Sequence, residues 1–553
     1  MKVLIVGGVA GGASAAARLR RLDEHAEIIL FERGEYISFA NCGLPYYIGG
    51  VIENRAALAL QTPESFKARN NVDVRVNSEV LSIDRAAKTV TVRTPDGNSY
   101  GESYDKLILA PGAAPIVPKF PGLDSDRVFT LRSIPDAYRI KRFIADESPK
   151  SAVIVGAGAI GLEMAENLVH AGIKVTMVEL SDHAIAPLDA DAASLVHACL
   201  AEKGVSLLLK TGFTGVSGQG PLKVELGSDS IQADMLILSI GVSPESSLAR
   251  ACGLDVGIRG HISVDSHMRT SDGDIYAVGD AVLVPDWLTG AKKNFALAGP
   301  ANRQGRIAAD HICGFDSFYD GAQGSSILKL FDMTVASTGL NEQTAKASGF
   351  DCDAVHLFSP SHAAYYPGGS MISGKIVFEK ESGRLLGGQF MGTEGVDKRC
   401  DVLATAIRAK MSGLDLTRLE LCYAPPFSSA KDPLNMAGFV IENILTHKMR
   451  NARWEDMDGL DRQTCVLLDV RMDEEHRNGN IPGALHIPLD SLRKRLPELD
   501  KNKAYYAFCL GGVRSYTAAR ILASNGYTCF SLSGGWHWYD SMQKGGAIAK
   551  LVW

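Results

Sequence analysis

Proline is scarce and long apolar runs are missing. With 22 prolines against 56 glycines in 553 residues, the chain has many turns and close backbone approaches but no low-complexity linker. Its longest apolar stretches, such as 152–160 and 235–242, fall well short of the roughly 18 residues that a membrane-spanning helix needs, so no membrane partner is expected. Neither sign of charge forms a long run and the net charge is −6, which argues against a nucleic-acid partner. Ten cysteines are scattered at 42, 199, 252, 313, 352, 400, 422, 465, 509 and 529 with no CxxC pair. That spacing suggests neither a metal site nor a disulfide scaffold, and a cytoplasmic chain with free thiols is expected.

What is present is an ordinary globular balance of 46% hydrophobic and 22% charged residues. At about 150 residues per domain, the length suggests three or four domains. Met1 to Val6 is too short for a signal segment, since Gly7 and Gly8 end it after one strand. The run Gly7-Gly8-Val9-Ala10-Gly11-Gly12 then leads into a helix-forming stretch, Ala13 to Leu22. A second strand, Glu27 to Phe31, ends in Glu32, where a dinucleotide fold places the carboxylate that accepts ribose hydroxyls. Val9 stands where the middle glycine of G-x-G-x-x-G is usual.

The arrangement recurs at Ala152 to Val155, with glycines at Gly156, Gly158 and Gly161, a helix through His170, and a strand that ends in Glu179. Such glycines permit the tight turn, let phosphate approach the backbone, and let helix and strand pack closely; the helix N-terminus holds the pyrophosphate. Two such sites imply electron transfer between two cofactors, most simply nicotinamide to flavin. Glu179 favours NADH, because a carboxylate repels the 2′-phosphate of NADPH.

The segment Thr270 to Ala281, a turn and a strand closed by Asp280, resembles the second FAD motif of two-dinucleotide flavoprotein disulfide reductases. Lys106 to Gly112 and Met235 to Gly241 are similar to that family's crossovers between its FAD and NAD domains. The resemblance implies FAD contacts at Gly7, Gly8, Ala10, Gly11, Gly12, Ala13, Glu32, Arg33, Gly112, Asp280 and Ala298, and NADH contacts at Gly156, Gly158, Gly161 and Glu179. Relatives of the glutathione-reductase type carry two cysteines four residues apart, but after Cys42 the next cysteine is Cys199. The redox partner of Cys42 is therefore a substrate sulfur or an oxygen. Near a helix N-terminus and an oxidised flavin, its thiol is expected to have a depressed pKa.

The single-cysteine motif is shared by CoA-disulfide reductases, NADH oxidases and NADH peroxidases. His362 to Gly368 and Tyr423 to Asp432 resemble the tyrosine motifs of the CoA-disulfide reductases, over about residues 1–446. The resemblance implies a homodimer in which Tyr423 and one of Tyr365 or Tyr366 protonate the departing thiolate. It also implies CoA contacts at Ser14, Arg18, Arg21, Ser38, Asn41, Lys431 and Phe439. Arg69 is a weaker match, because Asn70 stands where some relatives have lysine. Arg18 and Arg21 suit the nucleotide phosphates.

Beyond residue 446 the chain continues through Asp469-Val470-Arg471, Glu474, Gly479 to Ala484 and Ile487 to Leu489, then a strand Ala504 to Phe508 that delivers Cys509-Leu510-Gly511-Gly512-Val513-Arg514-Ser515 before a helix Tyr516 to Asn525. These segments resemble a rhodanese domain with the six-residue loop of sulfurtransferases. Loop amides aimed at Cys509 would stabilise thiolate and persulfide, and Arg514 would add charge or brace the loop against Asp469 or Glu474.

The expected architecture is α/β: an FAD-binding domain (1–111 and 243–324), an NAD-binding domain (112–242), an α+β dimerisation domain (325–446), a linker (447–460) and a C-terminal α/β rhodanese domain (461–553). The expected activity is FAD-dependent, NADH-driven reduction of a small-molecule persulfide or polysulfide, such as CoA persulfide, with release of sulfide. The alternatives are CoA-disulfide reduction for thiol homeostasis and a role chiefly as a sulfurtransferase.

Overall fold

A computed structural model describes residues 1–553, which form two compact bodies, residues 1–180 with 210–324 and residues 181–209 with 325–553. In the first body the strands Ile275–Ala277, Lys106–Leu109, Lys2–Val6, Glu27–Phe31 and Asp73–Arg75 lie side by side in one parallel sheet. A second parallel sheet orders Lys174–Val178, Ser151–Val155, Met235–Leu238 and Val128–Phe129. After their first residues, Lys2 and Ser151, both central strands are apolar and buried, as strands covered on both faces must be. Between the sheets run two short antiparallel strands, Ala113–Pro115 and Val242–Pro244, so the stretches read as crossovers are themselves sheet strands and the connection follows them.

The glycines set how closely the layers approach. Gly7 has φ +101°, and a Cβ there would lie 2.1 Å from the Ala110 carbonyl oxygen. A Cβ on Gly12 would lie 1.9 Å from the oxygen of Gly7. A side chain at Gly7 would collide with the backbone after the neighbouring strand, and one at Gly12 would push the helix off the glycine turn. The helix runs Ala10–Leu22, three residues earlier than the sequence suggested, because Gly11 and Gly12 are absorbed into its first turn.

The second body carries an antiparallel sheet of Ser326–Leu330, Met333–Gly339, Leu385–Gly392, Met371–Glu379 and Cys352–Pro360. A parallel sheet follows, ordered Asn451–Ala452, Thr528–Leu532, Ala504–Phe508, Cys465–Asp469 and Leu485–His486. Its edge strand lies in the segment expected as a linker, which corrects that reading. Trp454 in the same segment is 3% exposed, and its indole N–H donates to the Gly535 carbonyl at 3.0 Å. Burying so large an aromatic with its donor satisfied fixes the segment to the domain.

Residues 181–209, expected in the NAD-binding domain, belong to this second body. Buried Lys375 explains the placement: its ammonium lies 2.8 Å from Asp191, 3.0 Å from Glu342 and 3.1 Å from Asp189. His356 joins Asp191 at 2.8 Å and Ser533 at 2.9 Å, and Arg453 pairs with Glu342 and Asp353. A charge network this buried survives only when every member is paired.

Candidate active site

Cys42 lies in the helical turn Asn41–Gly43, just before the short helix Leu44–Ile48. The thiol is solvent-accessible, yet desolvation by its surroundings, followed by the charges of Glu163 and Asp280, pushes its pKa up. Among the protein's own groups, the depressed pKa expected from the sequence is therefore not found: the helix is one turn long and the nearest charges are negative. Burial also pushes the Glu163 carboxyl up to about 7. The Tyr46 hydroxyl reaches it at 3.4 Å.

Several of the residues expected to hold FAD lie around the glycine turn between the first strand and its helix. Glu32 accepts the Gly8 N–H and the Gly34 N–H, each at 2.9 Å, which fixes its carboxylate at the end of the second strand. Ala10, Gly11, Gly12 and Ala13 form the first turns of the helix. Asp280, in the helical turn after the strand Ile275–Ala277, has its carboxyl pushed up chiefly by burial. Arg33 donates to Glu245 at 2.7 Å, Gly112 has φ +70°, and Ala298 opens the helix Ala298–Ile312. In the second copy a Cβ on Gly156 would lie 2.4 Å from the Ser239 oxygen and one on Gly161 2.1 Å from the Gly156 oxygen. Gly158 faces open space, and Glu179 accepts the Ala157 N–H at 2.8 Å. Both glycine turns fit dinucleotides.

A cavity of about 340 Å³ is lined by Ser14, Arg18, Arg21, Ser38, Phe66, Asn302 and Arg306, among others. Its walls meet because Gly305 lets the two helices touch: a Cβ there would lie 2.3 Å from the Gly11 oxygen. Arg18 donates to buried Asp310 at 2.5 Å, so part of its charge is spent within the protein. Arg306 lies 3.9 Å from the same carboxylate. Asn302 accepts from Ser14 at 2.9 Å. Sequence reasoning missed Phe66, on the helix Pro63–Asn70, and also Asn302 and Arg306, since nothing local marks a helix nearly 300 residues away as a wall of this cavity. Asn41 and Arg69 are exposed and outside the lining.

In the second body Tyr365 and Tyr423 are exposed and share a hydrogen bond of 3.0 Å between their hydroxyls. Tyr366 packs edge-on against His362. Lys431 is exposed, and Phe439 lies half-buried on the helix Pro433–Leu445.

The strand Ala504–Phe508 delivers Cys509 to the mouth of a loop that turns through Gly512 at φ +124°. The Gly512 N–H points at the Cys509 sulfur, 3.1 Å away, and the Ser515 hydroxyl lies 3.8 Å from it. The helix starts at Val513, earlier than the expected Tyr516. Arg514 pairs through both terminal nitrogens with Glu475, each at 2.6 Å, and not with Asp469 or Glu474. Asp469 is already taken by Arg471 and His476, while the first turn of the helix Asp473–Arg477 aims Glu475 at the loop. Under the loop a Cβ on Gly511 would lie 3.1 Å from Phe358, whose ring stacks on His537 at 3.8 Å.

Comparison with known proteins agrees with this layout. A family model described as pyridine nucleotide-disulphide oxidoreductase matches residues 1–305. The chain belongs to this family. The pyridine nucleotide-disulphide oxidoreductase dimerisation domain matches residues 325–433, and a rhodanese-like domain matches 455–542. A coenzyme A disulfide reductase of Staphylococcus epidermidis is 36% identical over 79% of this chain and 99% of its own. The structure of reduced Bacillus anthracis CoADR-RHD is 47% identical with a TM-score of 0.96, covering 100% of this chain and 99% of that one. The NAD-dependent persulfide reductase from A. fulgidus is 37% identical with a TM-score of 0.93, covering 98% and 100%. The α/β architecture of this pyridine nucleotide-disulphide oxidoreductase with its C-terminal rhodanese domain is thus established. No helix is long and apolar enough to cross a membrane.

Proposed function

We propose that the chain is an FAD-dependent NADH:persulfide reductase whose substrate is CoA persulfide or polysulfide. The observation that carries the reading is the joining, in one chain, of a lone thiol near a dinucleotide-type glycine turn and a second thiol that accepts the Gly512 loop amide, in a chain similar over 98% of its length to the A. fulgidus persulfide reductase. FAD supplies the two-electron link between NADH and the sulfur chemistry at Cys42.

The Cys42 thiolate attacks the inner sulfur of R–S–SH, forming Cys42–S–S–R and releasing HS⁻; two electrons from NADH then return Cys42 and R–SH as thiols. Overall, NADH, one proton and R–S–SH give NAD⁺, R–SH and H₂S. Arg21, Arg306 and the polar groups of the cavity hold the CoA nucleotide, with Asn41, Arg69, Lys431 and Phe439 as further proposed contacts. Tyr423 and Tyr365 or Tyr366 supply phenol protons to the departing thiolate, acting across a homodimer. Cys509 carries sulfane sulfur. The compartment that suits free thiols is the cytoplasm.

The 36% identity to a coenzyme A disulfide reductase over 79% of the chain favours CoA-disulfide reduction as the second reading. NADH consumption with CoA disulfide, CoA persulfide and polysulfide, with sulfide assayed, separates the two in wild type, Cys42→Ser and Cys509→Ser. Persulfide turnover that releases sulfide and is lost in Cys42→Ser supports the proposal. CoA disulfide as the best substrate, with Cys509→Ser unaffected, refutes it.

A further inference from the structure

We infer that Lys141 is a positioning residue for Cys42: with Asn167 it clamps the one-turn helix behind the thiol between two helices that follow much later in the chain. The inference rests on the proposed role of Cys42 as the reacting thiol, and adds to it what holds that thiol in place.

The helix Leu44–Ile48 has five residues, too few to offset its own nucleation cost. Its support comes from the helices Ile134–Glu147 and Ala159–His170, which pack on either side. From the first, the Lys141 ammonium donates to the Tyr47 carbonyl at 2.6 Å and lies 4.0 Å from the centre of the Tyr47 ring. A cation is well placed there, since the last carbonyls of a helix lack partners within it. Tyr138, one turn before Lys141, meets the Tyr47 ring edge-on at 5.6 Å, and Arg55 covers the Tyr138 ring at 4.0 Å.

From the second helix, Asn167 is wholly buried and lies so close to Gly49 that a Cβ on the glycine would be 2.0 Å from its Oδ1. The Asn167 amide is oriented by donating to the Glu163 carbonyl at 2.7 Å, and the Tyr46 hydroxyl reaches the Glu163 carboxyl at 3.4 Å. Gly49 and Gly50 close the short helix by donating to the Pro45 carbonyl at 3.0 Å and the Tyr47 carbonyl at 3.2 Å. Gly50 and Lys141 therefore share one acceptor, and the loss of either loosens the same turn. The charges that bear most on the thiol itself are those of Glu163 and Asp280. Lys141 acts through the Tyr47 backbone, on where the thiol stands and not on how readily it ionises.

The FAD-loaded full chain is compared as wild type, Lys141→Met, which keeps the reach and removes the donor, and Lys141→Arg, which keeps a donor. Losing a charge-assisted hydrogen bond at a half-buried position opens the turn about tenfold more often. In Lys141→Met the Gly49 and Gly50 amides exchange hydrogen about tenfold faster while the melting temperature is little changed. The kcat for CoA persulfide falls by about the same factor with KM unchanged, because the substrate is held by the arginine-lined cavity elsewhere. The pH midpoint of Cys42 alkylation by iodoacetamide stays at its wild-type value, and Lys141→Arg restores both kcat and protection. Asn167→Ala, which removes the opposite wall, gives the same pattern. Unchanged exchange and kcat in Lys141→Met overturn the inference, and so does a displaced alkylation midpoint, which would make Lys141 a charge acting on the thiol. Turnover that survives in Cys42→Ser overturns the reading of Cys42 as the reacting thiol, and the inference with it.

Discussion

Replacing Arg306 by alanine tests whether the cavity between the helices Ala10–Leu22 and Ala298–Ile312 holds the nucleotide end of CoA. Three arginines line it, but they are not equivalent. Arg18 is tied to Asp310 at 2.5 Å, whereas Arg306 lies 3.9 Å from that carboxylate and keeps 58% of its side chain exposed. Arg306 and Arg21 are therefore the cations that can meet phosphate. A hydrogen bond between charged groups contributes about 1.5–3 kcal/mol when desolvated, and exposure brings Arg306 to the lower end, near tenfold in affinity. In steady-state assays Arg306→Ala raises KM for CoA persulfide about tenfold with little change in kcat, the signature of lost uniform binding. KM for pantetheine persulfide, which lacks the nucleotide, stays where it was. An equal rise for both substrates, or none for the CoA form, refutes the assignment of the cavity.

Glu163→Gln removes a negative charge that disfavours the Cys42 thiolate. Because Glu163 titrates near 7, it is mostly neutral at pH 6 and charged at pH 8, so iodoacetamide should modify Cys42 faster in the variant at pH 8 and equally at pH 6; a difference of the same size at both values sinks the reasoning. Lys375→Met leaves Asp189, Asp191 and Glu342 buried together without their cation, a loss of about 3–5 kcal/mol in denaturant unfolding; a change under about 1 kcal/mol would show that the carboxylates find other partners or protons. Gly511→Ala brings a Cβ to within 3.1 Å of Phe358, and about 1 kcal/mol of overpacking shifts the loop enough to slow sulfur loading on Cys509 roughly fivefold. Unchanged loading in that variant would mean the loop does not depend on the sheet beneath it.

Legibility in the sequence followed locality. The strand–glycine–helix units could be read because each depends on a few neighbouring residues: an apolar strand, a glycine whose φ no side chain tolerates, and an acid at the end of the next strand. The same locality made Cys42 stand out, since its lack of a nearby cysteine is a matter of spacing alone, and it made the Cys509 loop visible between its strand and helix. Boundaries were less secure where a local rule competed with another: glycines that read as a turn were drawn into a helix because the backbone hydrogen bonds of its first turn outweigh their poor propensity.

What only the tertiary structure decided is which charges remain available. Arg18 and Arg306 line the same cavity, yet Asp310 reaches one closely and the other barely. Arg514 found Glu475 because Asp469 was already saturated by Arg471 and His476. The stretch after residue 446 read as a linker from its polar composition, but a buried Trp454 and an edge strand bind it into the C-terminal sheet. Residues 181–209 joined the second body through the partners of Lys375. Chain geometry is short-ranged and written in consecutive residues; electrostatic pairing and burial are settled between residues that only folding brings together.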